Sequence, residues 1–416
     1  MLRARLVLPI ARPAIANGAV LISGRHIVSV GRWRDCSSED RARALDLGEV
    51  VLLPGLVNAH CHLDYTGMAG QFPPPKLFTD WLKLITTAKS FWTLADYADS
   101  WRKGADMLLR TGTTTVGDIE AVPQLLPAAW KATPLRVFSF LEMIGLTSRR
   151  APGDILREVT NKIDSLAPSL GWMGLSPHAP YTTGPELLRL NAAAARQRQC
   201  RVSTHLSESA AEFDMFAHGQ GEMFAWLRRS GRDMSDCGRG SPVRHLERCG
   251  LLSANLLAAH VNYLAAGDAA LLARRKASIV HCPRSHSYFH HARFAFRRLR
   301  RAGINICLGT DSLASVYKPR RQNLDLNMFE EMRALAGREP SLSAKTILRM
   351  ATINGALALG LRGQIGELSK GALADIIAVP FSGRISETYD ALVQHSGQVA
   401  ASLIGGKWAL PPNRRP

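Results

Sequence analysis

The sequence contains no Cys-x-x-Cys pair, so nothing in it calls for a thiolate-bound structural zinc. Its seven cysteines, an odd number, are scattered without paired spacing. Cys61, Cys200, Cys282 and Cys307 lie in or beside apolar strand-like runs, where cysteine acts as a small hydrophobe. Reduced thiols are therefore expected. An uninterrupted apolar stretch of membrane length is also missing, and the run in "MLRARLVLPIARPAIANG" is too broken for a signal peptide. The expectation is a cytoplasmic protein with no membrane partner.

Acidic residues are scarce as well. There are 34 Asp and Glu against 52 Lys and Arg, a formal net charge of +18. Between Arg274 and Arg301 stand nine basic residues and no carboxylate. Such a balance favours polyanions and anionic substrates in general. Yet the excess is mostly arginine spread along the chain, without aromatic interleaving, a zinc-finger pattern or a basic repeat. Nucleic-acid binding is accordingly disfavoured against attraction of an anionic small-molecule substrate or plain compositional bias.

What is present is enough for a large core: 416 residues, 46% of them hydrophobic, suited to one big domain and a small one. The first fifty residues read as short strands, "RARLVLP", "GAVLISG", "RHIVSVG" and "ALDLGEVVLLPG", separated by Gly and Pro. The last fifty resemble them, with "GALADIIAVP", "ALVQHSG" and "VAASLIGGKWAL". A composite β-sandwich domain drawn from 1–53 and 365–416 is expected to flank a middle section, 54–364.

That middle alternates differently. Eight short apolar runs each end in polar residues: "VLLPGLVNAHCH", "TTTVGDIE", "RVFSFLEMIG", "WMGLSPH", "RVSTH", "LLAAH", "ASIVHCP" and "INICLGTD". Helix-like segments separate most of them, at 97–110, 184–198, 208–229 and 324–335. The α/β alternation predicts a (β/α)8 TIM barrel, a fold that carries its chemistry on the loops at the C-terminal ends of its strands.

Histidines and acids sit at those ends. In a strand, residues i and i+2 point the same way, so His60 and His62 project from one face while Cys61 points elsewhere. His205 closes the fifth run with Glu208 three residues later, His260 closes the sixth, and Asp311 closes the eighth. Three imidazoles, one carboxylate and a water suit zinc or ferrous iron. Each residue alone could be a buried, hydrogen-bonded polar group, and a His-x-His pair also occurs in surface turns. Their placement on one rim is what that plainer reading explains poorly. Ser207 or Ser209 is positioned to start the helix that follows, with Glu208 and Glu212 on a shared face.

With these motifs in view, the chain resembles the amidohydrolase superfamily, and within it the cytosine deaminase and chlorohydrolase-type (ATZ/TRZ) branch. The likeness runs from "ALDLGEVVLLPGLVNAHCHLDYTG" to "IGELSKGALADIIAVP", with "GTTTVGD", "SPHAPYT", "THLSES", "HCPRSH" and "LGTDS" in family order. The resemblance implies His60, His62, His205 and Asp311 as metal ligands, Glu208 as proton shuttle, and His260 as the residue holding the attacking water. It implies His178 as a substrate-facing histidine, with Ser312 orienting Asp311 or touching substrate. Binuclear members use a modified lysine at the fourth strand. The nearest preceding lysine here is Lys162, so one divalent ion, Zn2+ or Fe2+, is expected.

The implied reaction is a deamination, in which metal-activated hydroxide attacks the amino-bearing carbon of a purine or pyrimidine-type ring and ammonia departs. His286 stands where relatives usually carry asparagine, which removes any asparagine-specific contact there. Arg284 could bind an anionic substrate group or order the loop through an acidic side chain. "HCPRSHSYF" and "LGTDSLAS" also resemble aminodeoxyfutalosine deaminases, whose substrate joins an adenine to a benzoate. The alternatives are a chlorohydrolase or amide hydrolase of the same superfamily and a catalytically silent scaffold. A homodimer would be in keeping with the resemblance.

Overall fold

The computed structural model describes residues 1–146, 150–166, 172–318 and 324–412. Eight parallel strands neighbour one another in chain order: Leu56–Cys61, Thr113–Glu120, Arg136–Met143, Trp172–Pro177, Val202–Leu206, Leu256–His260, Ser278–His281 and Ile306–Leu308. Seven fall inside one of the eight apolar runs, and Val202–Leu206 passes the end of "RVSTH" by one residue. Nearly every residue in them is buried, which is why the runs read as continuous apolar stretches rather than as alternating ones.

The ring closes where Cys61 bridges to Asp311. There the Asp311 N–H donates to the His60 carbonyl at 3.1 Å and the His62 N–H to the Asp311 carbonyl at 3.4 Å. Closure therefore sets the first and eighth strand ends side by side.

The two termini build a second, mixed sheet. Its order is Lys407–Leu410, Ala401–Ile404, Ile376–Pro380, Val50–Pro54, Leu2–Val7, Ile15–Ser23 and His26–Arg32, with Leu45–Asp46 beside Leu2–Val7. Val50–Pro54 joins the halves, antiparallel to Ile376–Pro380 and parallel to Leu2–Val7. The single run "VVLLPGLVNAHC" thus serves both sheets and changes between them at Gly55. A Cβ on Gly55 would lie 2.0 Å from Thr114 Oγ1, so only glycine allows that close approach.

Two sequence expectations shift. The segment read as one helix over 208–229 is two, Ala210–His218 and Glu222–Arg229. Gly219, with φ 65°, takes the left-handed conformation that ends the first helix, and Gly221, with φ 98°, caps the start of the second. The strand-like "ALVQHSG" lies partly in a helix, Thr388–Val393, which buries Thr388, Leu392 and Val393 at helical rather than alternating spacing. No helix among the described residues is long and apolar enough to cross a membrane.

Candidate metal centre

The first strand delivers His60, with no exposed surface, and His62 follows just beyond the strand end. The turn after His62 is held from below by Asp118. Its carboxylate accepts the Leu63 N–H at 3.0 Å and the Trp101 indole N–H at 2.8 Å. On the fifth strand, His205 Nδ1 lies 2.9 Å from the His178 carbonyl, which leaves Nε2 free to face inward. His62 Nε2 and His205 Nε2 are 3.3 Å apart.

Asp311 arrives from the eighth strand in a left-handed conformation, φ 54°. Its Oδ2 accepts hydrogen bonds from Ser285 Oγ at 2.6 Å and Ser315 Oγ at 3.0 Å. Its Oδ1 faces His60 Nε2 at 3.8 Å and His62 Nε2 at 3.6 Å. A tetrahedral ion with bonds near 2.05 Å spaces its ligand atoms about 3.4 Å apart. The potential ligand atoms of His60, His62, His205 and Asp311 all lie within 4.8 Å of one another, so small side-chain adjustments would bring the set onto one ion.

Unsatisfied atoms argue the same way. Neither ring nitrogen of His60 has a hydrogen-bond partner although both are buried, and His62 Nδ1 and His260 Nε2 are likewise alone. A buried imidazole with no partner is costly unless a cation supplies one. Burial, reinforced by His205, lowers the His60 pKa to about 3, and burial also holds His62 well below the usual histidine range. Both imidazoles are thus neutral and available as ligands. Burial by itself raises the Asp311 carboxyl, yet its net direction is below the ordinary value, with the Ser285 hydroxyl among the groups that lower it.

Beside the cluster, Glu208 Oε1 lies 3.6 Å from His260 Nε2. Burial first, then Asp311 and Glu212, push the Glu208 carboxyl well above its ordinary value. Its backbone is fixed from two directions. Glu212 accepts the N–H groups of Ser207 and Glu208 at 2.9 and 2.8 Å, while Asn262 Nδ2 donates to the Glu208 carbonyl at 2.9 Å. His286 Nδ1 in turn meets Asn262 Oδ1 at 3.0 Å. Ser207, His260 and Val261 all carry positive φ, of 51°, 72° and 52°. Such strain persists where surroundings over-determine the backbone, and it clusters at functional sites.

A cavity of about 320 Å³ opens above these groups. His62, His178, His205, Glu208, Asp311 and Ser312 line its floor; Trp81, Ile85, Ile144, Leu146 and Trp226 form an apolar wall that also carries Lys89 and Glu142. Lys89 donates to the Tyr65 hydroxyl, and the Tyr65 ring stacks on His62 at 5.2 Å with a 6° tilt. A larger groove, about 600 Å³, runs past Arg12, Arg32 and Arg34 but holds no histidine or carboxylate.

The structure thus brings together nearly all the residues singled out from sequence. His60, His260, Arg284 and His286 do not line the cavity, although His60 and His260 belong to the clustered groups and Arg284 and His286 do not. Arg284 Nε pairs with Glu331, its N–H donates to the same carboxylate at 2.9 Å, and Nη2 reaches the Asp325 carbonyl at 3.0 Å. Its partner is an acidic side chain of the protein, the second of the two expectations for it.

The helix after Glu208 also starts later than read. Ser209 is its N-cap, accepting the Glu212 N–H at 3.1 Å, so Glu208 precedes the helix and Glu212 reaches back instead of sharing a face with it. Glu212, Ser285, Ser315, Lys89 and the two cavity tryptophans were not singled out as site residues in the sequence. Only the serines, within "HCPRSH" and "TDSLAS", stood near a motif.

Comparison with known proteins follows this geometry. Residues 51–409 match the family model described as Amidohydrolase family. The chain is similar to a 5-methylthioadenosine/S-adenosylhomocysteine deaminase of Syntrophobacter fumaroxidans, 34% identical over 389 residues, covering 88% of this chain and 80% of the relative. Among solved structures it is similar to an adenosine deaminase from Xanthomonas campestris with bound zinc. The TM-score is 0.82 at 27% identity, over 98% of this chain and 92% of that one. Helicobacter pylori aminofutalosine deaminase superposes with a TM-score of 0.84, over 98% of either chain, at 21% identity, a likeness of fold.

Proposed function

Because this chain belongs to the amidohydrolase family, we propose that it is a single-metal aminohydrolase that releases ammonia from the amino-bearing carbon of a purine-type ring, in an adenosine derivative. One observation carries the reading. Asp311 belongs both to the four-ligand cluster and to a second group with Glu208 and His260, so the acid and the imidazole stand beside the place an ion would take. Zinc is the proposed ion, consistent with the three-imidazole, one-carboxylate set.

A divalent ion held by His60, His62, His205 and Asp311 would act as a Lewis acid and bring the pKa of water toward neutrality. Asp311, its Oδ2 held by two serine hydroxyls, turns Oδ1 toward the histidines and takes a proton from the attacking water. His260 holds that water through Nε2, the nitrogen that otherwise lacks a partner. Glu208, its carboxyl pushed above its ordinary range by burial, is the group suited to donate a proton here. It delivers this proton to the ring nitrogen beside the attacked carbon. The proton that Asp311 took from the water then passes to the amino group as it leaves as ammonia, and the hydroxyl on the attacked carbon returns a proton to Glu208 as it becomes the carbonyl. Trp81 and Trp226 offer planar apolar surface for the base, and His178 and Ser312 offer polar contacts to it.

An ammonia-release screen tests the proposal, using adenosine, 5′-methylthioadenosine, S-adenosylhomocysteine, a futalosine-type adenine compound, guanine and cytosine, with chloride release from a chlorotriazine measured in parallel. Ammonia from one or more adenine compounds is expected. Chloride release without ammonia would replace the deaminase reading with the chlorohydrolase one.

A further inference from the structure

We propose that His286, acting through Asn262, is a positioning residue for Glu208: its ring N–H fixes the Asn262 amide, and that amide fixes the Glu208 carbonyl. The inference rests on the deaminase reading for its kinetic consequence, while the relay itself stands on geometry. His286 lies on the short helix Pro283–Tyr288 after the seventh strand, Asn262 follows the sixth strand and Glu208 the fifth. The contacts therefore tie neighbouring strand ends together. His286 Nδ1 stands 3.0 Å from Asn262 Oδ1, and Asn262 Nδ2 donates to the Glu208 carbonyl at 2.9 Å. His286 is 3% exposed and Asn262 5%.

Hydrogen-bonding chemistry assigns the protons. A carbonyl oxygen only accepts, so the Asn262 atom facing Glu208 is the NH2 group. Oδ1 then faces His286 and also only accepts, so Nδ1 carries the ring proton. Burial, followed by Arg338, lowers the His286 pKa to about 4, so the ring is neutral near pH 7. His281, His291 and Phe294 box the ring, with centroids at 5.3, 5.5 and 6.4 Å and planes steeply inclined to it. The N–H is thus held on its target.

Fixing the carbonyl fixes the acid. Peptide units are planar, so the Glu208 Cα is the joint between two rigid planes. Glu212 holds the preceding plane through the Glu208 N–H at 2.8 Å, and Asn262 holds the following one through the carbonyl. With both planes held, the direction in which the Glu208 side chain leaves the backbone is set toward His260. Asn262 is anchored in turn, its backbone N–H donating to the Ser207 carbonyl at 3.0 Å. Removing the His286 N–H takes the donor from Asn262 Oδ1 and frees the amide to turn.

The experiment compares His286→Phe, which keeps a ring but loses the N–H, with His286→Asn, whose NH2 branches from Cγ as Nδ1 does. In His286→Phe, kcat for ammonia release should fall about tenfold with KM changed less than about twofold. In His286→Asn, kcat should return to within about threefold of the unaltered enzyme. One metal ion per chain in both variants reports an intact centre. Asn262→Leu should lose a factor similar to His286→Phe, and the double variant less than the product of the two single losses. Equal losses in the Phe and Asn variants, or independent losses in the double variant, overturn the relay, because ring packing alone would give them.

Two further readouts need no turnover. Nitrogen NMR of the unaltered protein, with the His286 signals identified by their absence from His286→Phe, should show the Nδ1–H tautomer. A crystal structure of His286→Phe should show the Asn262 amide turned from the Glu208 carbonyl. An Nε2–H tautomer or an unmoved amide overturns the relay. Absence of ammonia release from the unaltered enzyme counts against the proposed function alone, and these two readouts then decide the relay.

Discussion

Glu212 accepts the backbone N–H of Glu208 at 2.8 Å, so one buried acid fixes the approach of another. The same carboxylate takes the Ser207 N–H at 2.9 Å, at a residue whose φ is 51°. Two hydrogen bonds to consecutive amides hold a strained backbone that would otherwise relax. Replacing Glu212 with Ala strands both amides in a buried site. We expect kcat to fall at least about tenfold with KM little changed. Metal content, read by elemental analysis, should remain at one ion per chain. A parallel loss of metal would show that Glu212 supports the whole centre rather than Glu208.

Ser285 donates to Asp311 Oδ2 at 2.6 Å and so aims Oδ1 at His60 and His62. Removing the hydroxyl in Ser285→Ala should weaken metal binding by about 10- to 100-fold, the usual cost of losing an orienting partner of a ligand. Competition with a chromogenic chelator measures it. Unchanged affinity would mean that Ser315, at 3.0 Å, orients the carboxylate alone.

Arg284 is paired with Glu331, which has no exposed surface. Arg284→Ala leaves that carboxylate buried and uncompensated, and should destabilise the fold by about 3–5 kcal/mol. Residual kcat/KM should fall equally on anionic and neutral substrates, since the guanidinium is engaged inside the protein. A loss confined to anionic substrates would restore Arg284 as a substrate contact.

His245 lies away from the cavity, 2% exposed, with Nε2 3.6 Å from Asp236 Oδ2. Burial lowers its pKa to about 4 despite the opposing pull of Asp236. The unfolded chain titrates this residue near pH 6.5, so above that pH the shift has no effect on stability. As pH falls below about 6.5, the unfolded state takes up a proton that the folded state refuses. The loss grows until about pH 4, where it reaches about 3 kcal/mol. Between about pH 7.5 and pH 5 the unaltered protein should therefore lose about 2 kcal/mol more than His245→Gln. Urea midpoints at the two pH values provide the comparison. Parallel midpoints for both proteins would place the titration elsewhere.

Much of the architecture was legible in the chain because its signals are local. A strand buried on both faces is a short apolar run, and a barrel strand ends where polar residues begin. His60 and His62, His205 with Glu208, His260 and Asp311 could all be found at such ends before any coordinate was known. The i and i+2 rule placed the first two on one face without help from distant residues. Gly219 and Gly221 were equally visible as helix breakers, but a helical apolar pattern on both sides masked them.

Register and closure decided the rest. Arg284 finds Glu331 across 47 residues, and Asn262 finds the Glu208 carbonyl across 54. Such pairings depend on how neighbouring strands align, which no local period encodes. The helix Phe78–Lys89 brings Trp81, Ile85 and Lys89 over the barrel mouth, where its sequence read only as an intervening segment. Composition and spacing determined which side chains could bind a metal and move a proton. Only the closed ring, with Asp311 hydrogen-bonded to His60, brought them within reach of one ion, because convergence in space is a property of the whole barrel.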